Sequence, residues 1–381
     1  MLTPVGTAWP LNMGCDEIRW RLEVSAESDA SRAELEYVTT ERAGFTRHRW
    51  GRGFTYRDDA GRTVRFRALR QRFEDLAIPP AWTNVWICGS DRGHKQATGR
   101  DAADRKQYIY HPRFIAARRE AKYRRVAAFG ALLPRVRRAV ARDLKALRGE
   151  ARCALAAIVR LLKSTRARVG HLAYAQAHGS YGLTTLQRRH ARLLDDNAVE
   201  LEFTGKRGQP WRLRVEDEQV RRALRLEATA PDAPLFAYDG GDGAPHRVTA
   251  DEVNAYLRRV SGQRILAKDF RTWAACVLAV SRLGEAERRG RLEHDADVAV
   301  RDAVAAVAQA LNNTPPVCRS AYISPRLLET SRVSSYRLGA QERVAGDGTK
   351  RLHGAEVKTL ALLRAAYPFV GRRAAQPRRA A

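Results

Sequence analysis

Between Leu311 and Tyr322 the chain reads Leu-Asn-Asn-Thr-Pro-Pro-Val-Cys-Arg-Ser-Ala-Tyr. A tyrosine on a short helix, one step past a proline break in a strongly basic protein, is placed as a hydroxyl must be to attack a phosphodiester. That reaction makes specific demands. The nucleophile must lose a proton, the non-bridging oxygens gather charge in the transition state, and the departing sugar oxygen must be protonated. Metal ions can meet the charge requirement, but so can guanidinium groups, whose planar fork matches two phosphate oxygens. The chemistry therefore asks for arginines gathered around a tyrosine. Residue counts do not select one of the twelve tyrosines, and most tyrosines on helices are half-buried packing residues.

The charge of the chain points to the substrate class. Lys and Arg total 69 against 42 acidic residues, a formal charge of +27. A field of that size favours polyanions, the phosphate backbone of nucleic acid first among them. Cys15, Cys88, Cys153, Cys276 and Cys318 are odd in number and form no CxxC pair, so they read as reduced thiols in a cytoplasmic protein. Residues 1–25 lack the apolar core of a signal peptide, and no run of about eighteen apolar residues occurs, so no membrane association is expected. There is no GxxxxGK[ST] loop, so ATP is not expected. The acidic run Glu293-His-Asp-Ala-Asp297 reads as capping ahead of a helix rather than as a metal site, and Asp239-Gly-Gly-Asp-Gly243 as a flexible loop.

At 381 residues and 44% hydrophobic content the chain can hold two domains. Residues 1–34 show no period and read as an irregular extension. From 35 to 113 the texture is short strands and turns, with Phe54-Thr-Tyr56, Thr63-Val-Arg-Phe66, Asn84-Val-Trp-Ile-Cys88 and Arg105-Lys-Gln-Tyr-Ile-Tyr-His111 as the strand-like runs. From 114 to 366 helices dominate: one from about Phe114 to Leu147, one with Leu155, Ile158, Val159 and Leu162 on its apolar face, one opened by Thr249 and Glu252, one from Asp269 to Gly284, and one from Val298 to Leu311. Thr314 with Pro315 opens a further helix that carries Tyr322. A hairpin interrupts them, with Val199, Leu201 and Phe203 alternating, Gly205-Lys-Arg-Gly208 turning, and Trp211, Leu213 and Val215 alternating back. Residues 367–381 read as a disordered basic tail. The expectation is an α+β protein, with a small β-rich N-terminal domain and a larger, mainly α-helical domain containing one hairpin.

Four segments stand in a telling order: Arg166-Ala-Arg-Val-Gly170 followed by Gly179-Ser-Tyr-Gly-Leu-Thr-Thr-Leu186; Phe203-Thr-Gly-Lys206; Lys268-Asp-Phe-Arg271-Thr-Trp-Ala-Ala; and Asn313, nine residues before Tyr322. In these segments and their spacing, residues 35–365 resemble the type IB DNA topoisomerases, specifically the compact poxvirus-like bacterial form. The resemblance implies a helix supplying Arg168, which with Arg271 would hold the non-bridging oxygens. It makes Lys206, on a mobile hairpin tip, the general acid, and Tyr322 the nucleophile of a 3′-phosphotyrosyl intermediate. Asn313 stands where many members have histidine. An amide donates a hydrogen bond but exchanges no proton near neutral pH, so Asn313 is an oxyanion donor. The implied protein is a monomer that relaxes supercoils of both signs in double-stranded DNA, with no ATP, metal or other cofactor, in the cytoplasm with the nucleoid. After Arg168-Val-Gly170 the family usually has Asn-Glu, whereas this chain has His171-Leu172, so an acidic partner for Arg168 is missing.

In the small domain, Gln96-Ala-Thr-Gly-Arg-Asp101 and the run from Arg105 alternate polar and aromatic side chains beside basic ones, which suits contact with the major groove. In such a strand Arg105 and Lys106 would hold phosphates, and the resemblance places Gln107, Tyr108 and Tyr110 on DNA; ordinary packing of Tyr108 and Tyr110 on a strand face is the alternative. Two other functions share these features. A tyrosine recombinase would use related arginine, lysine and tyrosine chemistry at defined sites. A non-catalytic DNA-packaging descendant would bind without forming an adduct.

Overall fold

The structure, a computed structural model, describes residues 26–196, 198–227, 230–240, 244–329 and 352–368. Residues 1–25, the Gly241–Gly243 part of the glycine-rich loop, and residues 369–381 of the expected tail lie outside these, as does Cys15. The chain divides into two compact units, Met1–Ala121 and Lys122–Ala381.

The first unit is built on an antiparallel sheet. Helix α1 (Ala26–Arg32) precedes strands β1 (Gly44–Trp50) and β2 (Gly53–Arg57), helix α2 (Arg67–Asp75), and strands β3 (Thr83–Cys88), β4 (Lys95–Arg100) and β5 (Lys106–Tyr110). The sheet order is β2-β1-β3-β4-β5. Tyr56, Phe73, Ile78, Val85, Ile87 and Ala97 form its core, with Phe73 supplied by α2. The sequence missed β1, β4 and α2 for a physical reason visible in β4. Its Lys-Gln-Ala-Thr-Gly-Arg run lacks apolar alternation, yet four central residues are buried. Burial is possible because the polar groups are satisfied: Gln96 Nε2 donates to the Asp91 and Gly93 carbonyls at 2.9 and 2.7 Å, and Arg72 donates to Gln96 Oε1 at 3.0 Å. Gln96 is therefore a structural residue of this unit. Ala26–Arg32, expected to be irregular, is helical; acidic residues in its first turn and Arg32 in its last suit the helix dipole, and Ala30 packs by Phe114.

Helix α3 (Pro112–Asp143) carries the chain from the first unit into the second, which continues with α4 (Ala151–Thr165), α5 (Leu172–His178), a sheet of β6 (Ala191–Leu193), β7 (Val199–Thr204) and β8 (Pro210–Val215), then α6 (Glu218–Ala223). A short β9 (Ala237–Asp239) and β10 (Pro245–Arg247) pair leads to α7 (Ala250–Ser261), α8 (Ala267–Arg288), α9 (Arg291–His294), α10 (Ala296–Leu311), α11 (Pro315–Ala321), α12 (Pro325–Glu329) and α13 (Gly354–Ala366). The protein is thus α+β, with a small sheet unit followed by a mainly helical one.

Local signals set several of these boundaries. Thr249 and Glu252 form a reciprocal capping box on α7. Asp295 accepts from Val298 N–H at 2.9 Å, so the acidic run caps α10 as expected. Among the described residues no group of three or more His, Cys, Asp or Glu could hold a metal ion, and no helix is long and apolar enough to cross a membrane. Helix α8 runs past Gly284 to Arg288, because Leu283 and Gly284 face the core and tertiary packing overrides the weak propensity of glycine. Tyr367, assigned by sequence to the tail, is 2% exposed and belongs to the core.

Helices α3, α4, α8 and α10 enclose the main core. Gly130 of α3 lets Trp273 of α8 approach, since a Cβ there would lie 2.3 Å from the indole. Inside, Arg137 of α3 pairs with Glu356 of α13 at 2.5 Å, with both residues at 5% exposure or less. Burial pushes the Glu356 carboxyl up, but Arg137 outweighs it and the net direction is down. A buried pair that loses one partner leaves an uncompensated charge. Arg137→Met should therefore lower unfolding free energy by about 3–5 kcal/mol, read from the urea midpoint. Because the folded carboxyl titrates below its unfolded value, the Glu356 contribution in the native chain should fade as pH drops through the carboxylate range.

Candidate active site

Four segments of the helical unit converge, each set by local backbone chemistry. Helix α4 stops at Arg166, which takes the left-handed conformation at φ 60°, and Arg168 follows in the non-helical stretch beyond it. The expectation of Arg168 on a helix is corrected here: the left-handed cap ends the helix two residues earlier. The glycine-rich motif explains how a loop residue is held. Leu183 N–H donates to the Arg168 carbonyl at 2.9 Å and Thr184 N–H to the Val169 carbonyl at 2.7 Å. Gly182 makes this approach possible, because a Cβ on it would lie 2.6 Å from Gly170 N and 2.7 Å from the Arg168 oxygen.

Arg271, in the second turn of α8, is 4% exposed and spends its donors on the backbone of the neighbouring segments. One terminal nitrogen donates to the Arg166 carbonyl, and the other to the Leu311 carbonyl at 2.8 Å. Leu311 ends α10, Asn312 caps it at φ 48°, and Asn313 Oδ1 accepts from Arg168 at 3.1 Å. Helix α11 then opens on Thr314 with prolines in its first turn, and Tyr322 stands at its C-terminal cap. The Arg271 guanidinium carbon lies 5.3 Å from the centre of the Tyr322 ring.

The electrostatics favour an anion. Burial pushes the Tyr322 phenol up, yet the charges of Arg271 and then Arg168 outweigh it, and the net direction is below the ordinary value of about 10. Among the described residues neither arginine is ion-paired to a carboxylate. Arg271 Nε and Asn313 Nδ2 are buried with no hydrogen-bond partner. Two adjacent cations and two idle buried donors are costly unless something negative completes them. The acidic partner expected to be missing from Arg168 is replaced by an amide oxygen, which fixes the guanidinium without neutralising it.

The structure thus brings together Arg168, Arg271, Asn313 and Tyr322. It leaves Lys206 exposed in the turn between β7 and β8, with no hydrogen bond or ion pair among the described residues. The base of that hairpin is tied to the site, since Asn312 Nδ2 donates to the Pro210 carbonyl at 2.7 Å and Tyr181 N–H to the Thr204 carbonyl at 2.8 Å. Asn312 was missed by sequence reasoning; the only local signal was the adjacent asparagine pair at a helix end.

In the sheet unit the strand parity divides the expected DNA contacts. Lys106, Tyr108 and Tyr110 lie on one face of β5, whereas Ile109 on the other face joins the core and Gln107 shares its side. Lys95 and Lys106 approach the Tyr108 ring at 5.8 and 5.9 Å, and Tyr108 is 44% exposed. Tyr110 is half-buried against Phe114. Gln107 and Arg105 both bind Asp101, at 2.8 and 2.9 Å, and Arg105 and the backbone hold its carboxyl at about 2.

A small antiparallel sheet unit is thus followed by a helical unit that gathers two arginines on one tyrosine, in an α+β protein. Residues 111–333 match the family model of the eukaryotic DNA topoisomerase I catalytic core, and residues 53–101 that of the bacterial DNA topoisomerase IB N-terminal domain. A DNA topoisomerase 1B of Acanthamoeba polyphaga mimivirus is 26% identical over 265 residues, covering 68% of this chain and 79% of the relative. The chain belongs to the type IB DNA topoisomerases, isomerases whose substrate is DNA.

Because the Gly170–Gly182 contact holds the Arg168 backbone, Gly182→Ala should displace that guanidinium. Topoisomerase activity is expected to fall by about 100-fold with the chain still folded by circular dichroism, since a displacement of about 1 Å at a reacting group has that cost.

Proposed function

We propose that this chain relaxes positive and negative supercoils by cutting one strand of duplex DNA with Tyr322 and resealing it. The observation that carries the reading is the pair of guanidiniums, Arg271 and Arg168, that face one phenol with no carboxylate among the described residues to neutralise them. The phenol oxygen attacks phosphorus and forms a 3′-phosphotyrosyl bond, and the 5′ oxygen leaves. Arg168 and Arg271 hold the non-bridging oxygens, the idle Nδ2 of Asn313 donates to one of them, and Lys206 on its hairpin tip protonates the departing oxygen. After the duplex swivels, the 5′-hydroxyl attacks back. Transesterification conserves the bond energy, and the guanidiniums carry the charge that a metal ion would otherwise carry, so neither ATP nor metal enters the reaction.

The sheet unit would supply sequence-tolerant grip, with Lys106 on phosphates and Tyr108 and Tyr110 against the groove. Gln107 and Arg105 would join them on release from Asp101. The protein would act as a monomer in the cytoplasm, with the nucleoid.

Plasmid relaxation in EDTA tests the reading. The native chain should relax both supercoil signs and Tyr322→Phe neither; equal activity in the two would remove Tyr322 from its role. The lowered phenol gives a second test with a definite sign. Cleavage should rise with pH and level off below about 10, because the phenolate forms earlier than in a free tyrosine. Arg168→Gln should move the midpoint upward, and an unmoved profile would show that Arg168 does not act on the phenol.

A further inference from the structure

The last carbonyls of a helix have no partners within it. At the end of α11 the Tyr322 and Ile323 N–H groups both return to the Cys318 carbonyl, each at 3.0 Å. The three successive carbonyls of Ala321, Tyr322 and Ile323 then meet three side chains from other helices. Lys122 Nζ donates to Ala321, Cys276 Sγ to Tyr322 at 3.6 Å, and the Tyr123 hydroxyl to Ile323 at 2.6 Å. Lys122 and Tyr123 are neighbours on α3, and Cys276 lies on α8 in the helix that carries Arg271. Tyr123 is 1% and Cys276 0% exposed. Tyr367, just past α13, stacks on Tyr123 at 5.5 Å and its hydroxyl meets that of Ser324 at 2.8 Å.

We infer that Lys122, Tyr123 and Cys276 are positioning residues for strand cleavage, a clamp on three successive carbonyls that fixes the direction in which the Tyr322 phenol points. The inference rests on Tyr322 being the nucleophile. Each peptide unit is planar, so the orientation of the Ala321 carbonyl sets the plane before the Tyr322 Cα, and that of the Tyr322 carbonyl sets the plane after it. Holding both planes fixes φ and ψ of Tyr322 and hence its Cα–Cβ direction. The third contact, at Ile323, keeps the chain from rotating as a unit. Arg271 and two of the three clamping residues, Tyr123 and Cys276, are buried on rigid helices, so the phenol and the cations that serve it share one frame. The competing explanation is that these donors satisfy carbonyls and nothing more, in which case they affect stability alone.

The two are separated in the full chain with a nicked suicide duplex, whose cleaved fragment dissociates and traps the adduct. Adduct formation is followed in a single turnover, and DNA affinity is measured separately in the Tyr322→Phe background. Tyr123→Phe, Cys276→Ala and Lys122→Met should each slow adduct formation roughly fivefold or more, the value of one hydrogen bond expressed as a rate, while affinity stays unchanged. Cys276→Ser and Lys122→Arg, which keep a donor, should recover part of the loss. Tyr123→Phe keeps the ring and its stacking, so it tests the clamp even if the other variants fold poorly. Native rates in all three, rates that fall only in proportion to DNA affinity, or a lowered melting temperature with cleavage unchanged would each overturn the clamp. An adduct that still forms in Tyr322→Phe would overturn the nucleophile instead, so the two failures are distinguishable.

Discussion

A buried guanidinium with no counter-ion among the described residues is the constraint around which the helical unit is arranged. Arg271 cannot be neutralised by losing its proton, so its charge stays and its neighbours must accommodate it. They do so with carbonyl oxygens, Arg166 on one side and Leu311 on the other, which satisfy donors without cancelling charge. Burial lowers its pKa, and the neighbouring Arg168 lowers it further. The remaining positive field falls on the phenol 5.3 Å away. A single side chain therefore fixes the backbone before Arg168 and before Asn313 and also supplies charge to Tyr322.

This arrangement explains why so little of the site depends on contacts between charged side chains. Arg168 is aimed by an amide oxygen and by a backbone that Leu183 and Thr184 grip. Tyr322 is aimed through main-chain carbonyls. A carboxylate in any of these places would aim a group equally well but would quench the field that an anionic substrate needs. His171-Leu172 in place of the family's usual Asn-Glu fits such a site, since Asn313 supplies the orienting contact from another segment.

The sheet unit obeys a different economy. Its interior strand β4 is polar in sequence and buried in fact, stabilised by Arg72 and Gln96, which donate to the loop carbonyls of Ser90, Asp91 and Gly93. Its outer strand β5 shows what alternation does to a run of candidate contacts. Lys106 and Tyr108 share a face with Lys95, while Gln107 is turned away and bound to Asp101.

The sequence by itself determined the class of fold, the hairpin, and the α7 and α10 helices with their caps, because these rest on local rules: alternation of apolar residues, a Thr–Glu capping box, an aspartate ahead of a helix. It also singled out Arg168, Lys206, Arg271, Asn313 and Tyr322, through resemblance rather than spacing. Only the tertiary structure decided that four of these meet, that Gly182 is there to let two backbones touch, and that Lys122, Tyr123 and Cys276 hold the tyrosine's peptide planes. Those contacts join residues far apart in the chain and act largely through backbone atoms. Every residue type presents the same carbonyl, so no pattern of side chains could have announced them.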